Sequence, residues 1–341
     1  MTLRDFKKKT ISNNCREEIE QVLKENIYKG ARPHMPGKQV GQKTQHNRRQ
    51  VIFQCFNQLE SLGFQMPHAN TLREIHIRNL VAYWEAEGHA SKTINNKLTT
   101  LRTFSDWVGK PGMVKNCETY YSVPEEAKVS TVCTEDKSWS AKEVDALEKI
   151  AEITQTNANV GACLLAMSAF GLRTREAWHL RPHIAIGEGS IHLTEGTKGG
   201  RNRTVPIETD FQREVVEYLK TFVTEKSASL MMLGKTRKAF GSTYYRVCRK
   251  HGLSRKRGLV PHGLRAEFIN NKYEALSGFP SPVRGQQPGQ VECELHKAVC
   301  KSLMGEVGHS RPDVFGAYGG GRSIDFSKIS KQHADKLSDA P

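Results

Sequence analysis

Apolar residues recur at three- and four-residue intervals through the first third of the chain. Three amphipathic runs, over residues 44–62, 71–84 and 91–107, are separated by short turns, and a shorter run lies in the basic segment before them. This periodicity is typical of helices that bury one face against one another. The pattern therefore predicts a compact all-helical domain over residues 41–110, preceded by a basic N-terminal segment, residues 1–40.

The pattern changes after residue 110. Residues 111–138 lack periodicity and contain two prolines, which predicts an interdomain linker. The spacing Ser140-x-x-Glu143 has the form of a helix-capping box, and it predicts that a second domain, residues 139–318, opens with a helix there. Residues 319–341, which begin with three consecutive glycines, are predicted to form a C-terminal tail whose start is a flexible hinge.

The second domain combines helices with a small β element. Residues 190–194 and 203–207 alternate apolar with polar positions around a Gly-rich turn, which predicts a β-hairpin. The expected fold is thus mainly α (α+β), with an all-helical domain followed by a mixed, mostly helical one. Helices are predicted at 141–154, 157–170, 209–226, 236–251, 262–276 and 291–306, with a Pro/Gly-rich loop at 278–290.

The net charge of the chain indicates a polyanionic partner. The chain has 51 Lys and Arg against 36 Asp and Glu, a net charge of +15. Residues 232–265 contain ten basic residues and no acidic one, whereas a solvated helix face normally mixes both signs. Such a run favours contact with phosphates. The candidate DNA-binding residues are Lys235, Arg237, Lys238, Arg246, Arg249, Lys250, Arg255, Lys256 and Arg257.

Several classes of protein are disfavoured. The eight cysteines form no Cys-x-x-Cys pair and the histidines show no metal-binding spacing, so no metal site is expected. No run of 18 apolar residues is present to span a membrane, and residues 1–10 lack the apolar core of a secretory signal. These features favour a cytoplasmic, nucleoid-associated protein with reduced thiols.

Four short motifs follow one another in the second domain, and each is weak alone. An Arg–Glu pair on a helix is usually a surface ion pair, and a lysine in a turn is usually solvated. A His-x-x-Arg pattern is common, as is a glycine followed by histidine at a helix end. In chain order, the candidate residues of these motifs are Arg173, Glu176, Lys198, His262, Arg265, His309 and Tyr318.

Taken together, this order resembles the tyrosine recombinase family, the phage-type integrases. The lysine on a hairpin and the tyrosine near the C-terminus match the family's pattern, and the similarity extends over about residues 42–320. The run SKTINNKLTTLRTFSDW, residues 91–107, is similar to part of the family's core-binding domain. The resemblance implies that a helical core-binding domain and a catalytic domain clamp double-stranded DNA.

The resemblance also implies roles for the matched residues. Tyr318 is expected to attack a phosphodiester, leaving a 3′-phosphotyrosyl bond and a free 5′ hydroxyl. Arg173 and Arg265 are expected to bind the non-bridging oxygens of the phosphate, and His309 to donate a further hydrogen bond to it. Glu176 is expected to orient Arg173.

Two further residues are expected to move protons. His262 lies three residues before Arg265, on the same helix face, and is expected to assist proton transfer at the nucleophile. Lys198, on the hairpin, is expected to protonate the departing 5′ oxygen. Because the phosphotyrosyl bond retains the energy of the phosphodiester, religation is expected to need no ATP, metal or other cofactor.

The leading function predicted from the sequence is a site-specific recombinase that integrates or excises a mobile element. The alternatives are a dimer-resolving Xer-like recombinase, a non-catalytic DNA-binding regulator, and the related chemistry of type IB topoisomerases and telomere resolvases. The expected partners are attachment-site DNA, three further copies of the chain in a homotetramer on synapsed DNA, and an accessory DNA-bending or directionality factor. The free protein is expected to be a monomer or weak oligomer.

Overall fold

The computed structural model describes residues 10–30 and 39–322. These fall into two compact units, Met1–Ser130 and Thr131–Pro341, each with its own core. Most of the predicted C-terminal tail and the first nine residues lie outside the described part of the chain. None of the described helices is both long and apolar enough to cross a membrane.

The described residues of the first unit form helices and no strand, as the periodicity predicts, and they include one α-helix more than the predicted domain. Helix α1 (Asn13–Asn26) lies in the same apolar core as α2 (Gln42–Ser61), α3 (Glu74–Ala86) and α4 (Ser91–Trp107). The amphipathic run at residues 19–27 therefore belongs to this unit rather than to a separate N-terminal segment. Among the side chains buried in the core are Ile19, Leu23, Ile52, Phe56, Leu80, Trp84, Leu98, Leu101 and Phe104.

Much of the predicted linker is also part of the first unit. Val114, Cys117, Tyr120 and Ala127 are buried in the same core as the four helices. These residues lie in irregular backbone and short 3₁₀ turns, which produce no hydrophobic period in the sequence. The division between the units falls after Ser130, within the predicted range 111–138.

The second unit is mostly helical, with one hairpin. Its first helix begins later than the capping-box spacing predicts, because residues 140–142 form a 3₁₀ turn and Glu143 is left-handed with φ 56°. Asp145 caps the helix instead, with its side chain accepting from the backbone N–H of Glu148. The helices are α5 (Ala146–Thr156), α6 (Ala158–Phe170), α7 (Thr174–His179), α8 (Pro182–Ala185), α9 (Asp210–Phe222), α10 (Arg237–Lys250), α11 (His262–Ser277), α12 (Cys293–Glu306) and α13 (Gly316–Gly319).

Two apolar clusters organise this unit. The larger surrounds α6, whose sequence is apolar on every side and therefore suits a fully buried helix. The smaller joins α11, α12 and α13 and includes Tyr318. Because α11 contacts both α6 and α12, its polar residues Arg265 and Asn270 are buried between neighbouring helices.

The predicted hairpin is present as β1 (Ser190–Leu193) and β2 (Arg203–Pro206). The strands are antiparallel, with Ile191 opposite Val205 in the two-stranded sheet. Its turn reverses through three glycines with positive φ: Gly196, Gly199 and Gly200. A Cβ atom at Gly196 would lie 2.3 Å from the carbonyl oxygen of Arg175, so this glycine allows the hairpin to pack on the first turn of α7.

Two glycines of this turn make a matched pair for testing that contact. Gly196→Ala and Gly199→Ala both place a side chain at positive φ, but only the first meets backbone within 3 Å. We expect Gly199→Ala to cost about 1 kcal/mol of unfolding free energy, and Gly196→Ala to cost about 1–3 kcal/mol more through overpacking. Urea titrations measure both. Equal costs would mean that the hairpin is free of α7.

Candidate active site

Arg265 lies at the centre of the candidate site. Its side chain is fully buried, and its guanidinium donates from Nη1 to the carbonyl of Gly171 at 2.5 Å and from Nη2 to that of Val307 at 2.5 Å. Its Nε donates to the hydroxyl oxygen of Tyr318 at 3.3 Å. Burial, followed by the opposing influences of Tyr318 and Arg173, lowers the pKa of Arg265 to about 10, so it remains a cation at neutral pH.

The hydroxyl of Tyr318 lies between two predicted catalytic residues. Besides the bond from Arg265, its Oη lies 3.3 Å from Nε2 of His309. An arginine can only donate, so Oη accepts from Arg265 and is free to donate its own proton to a neutral His309. The contact pairs the nucleophile with His309, whereas the sequence assigned proton transfer to His262.

His262 stands at the first residue of α11, beside the tyrosine ring. The two ring centroids are 5.8 Å apart, and the structure shows no hydrogen bond between the His262 side chain and the Tyr318 hydroxyl. Partial removal from water, followed by the charges of Arg265 and Arg173, lowers the pKa of His262. The residue is therefore neutral at neutral pH.

A buried carboxylate joins the first arginine motif to the hairpin. Glu176 is fully buried and accepts from Nη1 of Arg173 at 2.6 Å and from Nη2 of Arg203 at 2.7 Å. Burial alone would raise its pKa, but the hydrogen bonds and charges of the two arginines outweigh burial and lower the pKa of Glu176. This is a shared, buried ion pair, not the surface pair that a helical Arg–Glu spacing usually forms.

Arg203 is the functional residue that the sequence prediction missed. Its side chain is 6% exposed, and its Nη1 donates to the carbonyl of Glu306 at 2.5 Å in addition to the pair with Glu176. Arg203 is the first residue of β2, where an alternating pattern assigned it only to a strand. Arg203 lies two residues before the apolar strand position Val205 and five residues after Lys198, and this spacing does not place it against Glu176.

Gly308 allows the segment that carries His309 to pack closely against Arg173 and Arg203. A Cβ atom here would lie 2.7 Å from Cδ of Arg203 and 3.1 Å from Nη1 of Arg173, and φ is +77°. Its carbonyl accepts from Nη2 of Arg173 at 3.0 Å, directly after the Val307 carbonyl that accepts from Arg265. The end of α12 is thus fixed to both predicted phosphate-binding arginines.

The predicted leaving-group acid is less enclosed. Lys198 begins the 3₁₀ turn Lys198–Gly200 at the tip of the hairpin and is exposed. Its charge nevertheless contributes to the lowered pKa of His309, which places the ammonium within electrostatic range of the site. The structure therefore brings the other predicted residues into one cluster and leaves Lys198 on an open turn beside it.

The cluster holds more positive than negative charge. Arg173, Arg203 and Arg265 contribute three cations against the one carboxylate of Glu176, a net +2. The pKa of His309 is lowered to about 4. Burial is the largest cause, and the charges of these cations add to it. A buried excess of guanidinium charge next to a tyrosine hydroxyl suits a bound phosphate, whose charge would compensate it.

The lowered pKa of His309 predicts a pH-dependent stability. The folded protein binds the proton more weakly than the unfolded chain, so this residue stabilises the fold above pH 6.5, and the contribution is lost as pH falls toward 4. Between pH 7.5 and 5, we expect wild type to lose about 1–2 kcal/mol more unfolding free energy than His309→Asn. Urea titrations at the two pH values measure the difference, and equal losses would contradict it.

Two family models match this chain, one in each structural unit. Residues 35–114 match the model described as phage integrase, N-terminal, and residues 131–271 match the model described as integrase. The two matched regions lie in the first and second unit respectively. The second contains Arg173, Lys198, His262 and Arg265.

Individual relatives are distant but extend over much of the chain. Tyrosine recombinase XerA of Pyrococcus horikoshii is 24% identical over 194 residues, which is 55% of this chain and 62% of that protein, so the match spans less than two thirds of the relative. The Tn1549 transposon integrase in complex with circular intermediate DNA has the same fold, with a TM-score of 0.53, 15% identity, and coverage of 91% of this chain and 98% of that one.

Lambda integrase has the same fold in two assemblies. The dimer bound to a COC′ core site gives a TM-score of 0.57 at 14% identity, with 90% of this chain and 95% of that chain covered. The tetramer bound to a Holliday junction gives 0.54 at 14% identity, with 88% and 79% covered. With integrase models matching both units and the tyrosine, arginine and histidine motifs meeting in one site, this chain belongs to the tyrosine recombinase family.

Proposed function

We propose that this protein is a site-specific DNA recombinase that cuts and rejoins DNA through a 3′-phosphotyrosyl intermediate, and that it integrates or excises a mobile element. The observation that carries the proposal is the Tyr318 hydroxyl, 3.3 Å from both Arg265 Nε and His309 Nε2 in a site with excess positive charge. A nucleophilic hydroxyl beside fixed donors for a phosphate is the arrangement that phosphoryl transfer to a protein side chain requires.

The proposed reaction is the one that the resemblance to the family implies for these residues. The oxygen of Tyr318 bonds to phosphorus, the bond from phosphorus to the 5′ oxygen breaks, and the 3′ phosphate stays on the tyrosine. Arg173 and Arg265 stabilise the charge that develops on the non-bridging oxygens. Lys198 donates the proton that the departing 5′ oxygen takes up. Attack by a 5′ hydroxyl reverses these steps and joins a new pair of strands without ATP.

His309 and His262 have different proposed roles. In the DNA-free protein, His309 accepts a hydrogen bond from the phenolic hydroxyl, because its Nε2 contacts the hydroxyl and its lowered pKa leaves it neutral. When a phosphate is bound, the same imidazole is expected to donate a hydrogen bond to it. His262, beside the tyrosine ring, assists from the start of α11. Arg203 acts through Glu176 as a positioning residue for Arg173.

The basic residues of the second unit provide a surface for the DNA backbone. All nine candidates between Lys235 and Arg257 are exposed. In α10 the buried face is formed by Phe240, Tyr244 and Val247, which leaves the basic residues of that helix toward solvent. An exposed face with one sign of charge supports the proposed contact with phosphates.

The first unit offers a surface suited to the grooves of DNA. Helices α2 and α4 line a groove that is rich in amide and hydroxyl side chains, among them Asn47, Gln50, Gln54, Asn96 and Thr100, and none of the described residues that line it is acidic. Amide side chains read the adenine edge, and threonine contacts the thymine methyl group. We assign this groove to base contacts in the attachment site.

The assembly belongs to the same proposal. Lambda integrase, which shares the fold, forms a tetramer on a Holliday junction, and this supports a homotetramer on two synapsed duplexes here. The accessory bending or directionality factor and action on nucleoid DNA in the cytoplasm remain predictions from the sequence. Ile324, Phe326 and Ile329, three apolar residues of the tail, lie outside the described part of the chain.

A dimer-resolving Xer-like recombinase is the second candidate. The 24% identity to XerA favours it, and the cleavage chemistry would be the same. The two candidates differ in their DNA target, so the sequence of the recombined junctions distinguishes them. A non-catalytic regulator is disfavoured, because DNA binding alone does not require a tyrosine hydroxyl held between Arg265 and His309.

Tyr318→Phe is expected to abolish covalent capture of DNA while changing half-site affinity by less than about threefold. The hydroxyl is the nucleophile, and the ring supplies only packing. A suicide substrate nicked near the cleavage site traps the adduct, which is seen on a denaturing gel. Tyr218→Phe, an exposed tyrosine on α9, is the matched control and keeps full capture. An adduct with Tyr318→Phe would refute the assignment.

Lys198→Ala is expected to slow capture by about 10²- to 10⁴-fold, the usual contribution of a general acid. A substrate with a 5′-bridging phosphorothiolate should restore the rate, because a thiolate leaves without being protonated. Capture rates on the normal and sulfur-containing substrates give the comparison. If sulfur fails to restore the rate while the variant still binds DNA, Lys198 has a different role.

A further inference from the structure

The Pro/Gly-rich loop at residues 278–290 contacts the segment that carries the nucleophile. Its 3₁₀ turn, Pro282–Arg284, packs directly on α13, the short helix of Tyr318. Ser281 and Pro282 are buried, although the loop's composition suggests an exposed connection. The loop is thus part of the structure around the tyrosine.

A polar cluster links this loop to the backbone of Tyr318. Arg284 donates from Nε to Asp136 at 2.9 Å and from Nη2 to the Ser138 hydroxyl at 3.0 Å. Asn270 donates from Nδ2 to Asp136 at 3.3 Å and to the Tyr318 carbonyl at 3.4 Å. Both acceptors are oxygens, which fixes the orientation of the Asn270 amide. We call these four residues, Asp136, Ser138, Asn270 and Arg284, the Asp136 cluster.

The cluster is protected from solvent. Ser138 and Asn270 are fully buried, and the side chains of Arg284 and Asp136 are 18% and 12% exposed. The Ser138 hydroxyl donates to Asp136 at 2.6 Å, so one carboxylate collects bonds from three side chains. Ion pairs at this depth are screened less than surface pairs, and removal of one partner leaves the other poorly compensated.

Two further contacts, one from the loop and one from the residue that follows it, lie on either side of the tyrosine. Gln286 donates to the Tyr273 hydroxyl at 3.2 Å, and the Tyr273 ring stacks on Phe315 with centroids 4.8 Å apart. After the nucleophile, Arg322 donates to the carbonyl of Val291 at 2.7 Å. The backbone is therefore held before, at and after Tyr318.

We propose that the loop 278–290, through the Asp136 cluster, is a positioning element that holds the nucleophile of this chain in its own active site. Arg284 is the residue that connects the loop to the cluster. The inference rests on the proposed function for its catalytic consequence, but the restraint on α13 is a property of the folded chain alone. The bonded atom is the carbonyl of Tyr318, so the cluster sets the position of the backbone from which the hydroxyl reaches Arg265 and His309.

The test is Arg284→Ala, with Arg284→Lys as the conservative variant. Arg213→Ala, which removes an exposed arginine–aspartate pair on α9, is the matched control. Hydrogen–deuterium exchange of the amides in residues 314–320 is measured on the free full-length protein. We expect faster exchange in Arg284→Ala, partial recovery in Arg284→Lys, and no change in Arg213→Ala. Exchange unchanged in Arg284→Ala would overturn the proposal.

The catalytic consequence is measured separately. At saturating half-site DNA, we expect the rate of covalent capture to fall about 10- to 100-fold in Arg284→Ala, as for a misplacement of about 1 Å, with the dissociation constant changed less than twofold. The 5′-bridging phosphorothiolate should not restore this rate. An unchanged capture rate, or an equal loss in affinity, would overturn the positioning role. Asp136→Asn, which preserves volume, repeats both measurements if Arg284→Ala does not fold.

The recombinase function and the positioning role of the loop can be refuted separately. If wild type forms no adduct, the proposed function is wrong, while the exchange result still decides whether the loop restrains α13. If wild type forms the adduct and Arg284→Ala matches it, the function stands and the positioning element is refuted.

Discussion

The buried carboxylate of Glu176 is the interaction on which the candidate site depends. It accepts from Arg173, at the start of α7, and from Arg203, at the start of β2. Without a negative charge between them, two guanidinium groups would face each other in a region shielded from water. The same arginines then donate to the carbonyls of Gly308 and Glu306, at the end of α12. One acidic side chain thereby fixes three segments that are distant in sequence.

The second half of the site is organised from α11. Arg265 joins the carbonyl of Gly171, two residues before Arg173, to the carbonyl of Val307 and to the Tyr318 hydroxyl. Backbone carbonyls do not change protonation state with pH. The two bonds to carbonyls therefore persist over the whole pH range in which the protein is folded. The guanidinium retains further N–H groups beyond these three bonds, since arginine has five. Structural anchoring and ligand binding are therefore compatible in the same side chain.

The sequence predicted the parts of this structure that follow a period or a motif. Helices α2 and α4 have apolar stripes, the hairpin alternates, and the order from Arg173 to Tyr318 indicated the family. It did not predict Arg203, because nothing local distinguishes an arginine in a strand from one that pairs with a buried glutamate. The Ser140 capping box was wrong because Trp139 is buried against the start of α11, which leaves the next residues in a 3₁₀ turn.

The three glycines after the nucleophile show a different limit of prediction. They indicated a flexible hinge, yet Gly319 and Gly320 are buried, and a Cβ at Gly319 would lie 2.2 Å from the Phe315 ring. Gly320 has φ +81°, which other residues adopt only with strain. Glycine at these positions permits close packing of the described residues. In the sequence these glycines suggest mobility. In the structure they are needed because the residues after Tyr318 are closely packed.

The net +2 charge of the cluster has a consequence for how this protein evolves. Unpaired guanidinium charge destabilises the ligand-free fold, and a bound phosphate relieves that cost. Each of these arginines also bonds a buried partner, either Glu176 or a backbone carbonyl, so a substitution that neutralises one removes reactivity and leaves that partner uncompensated. Selection for stability and selection for turnover therefore both retain these arginines. Gains in robustness must come from elsewhere in the chain, such as the apolar cores of the two units.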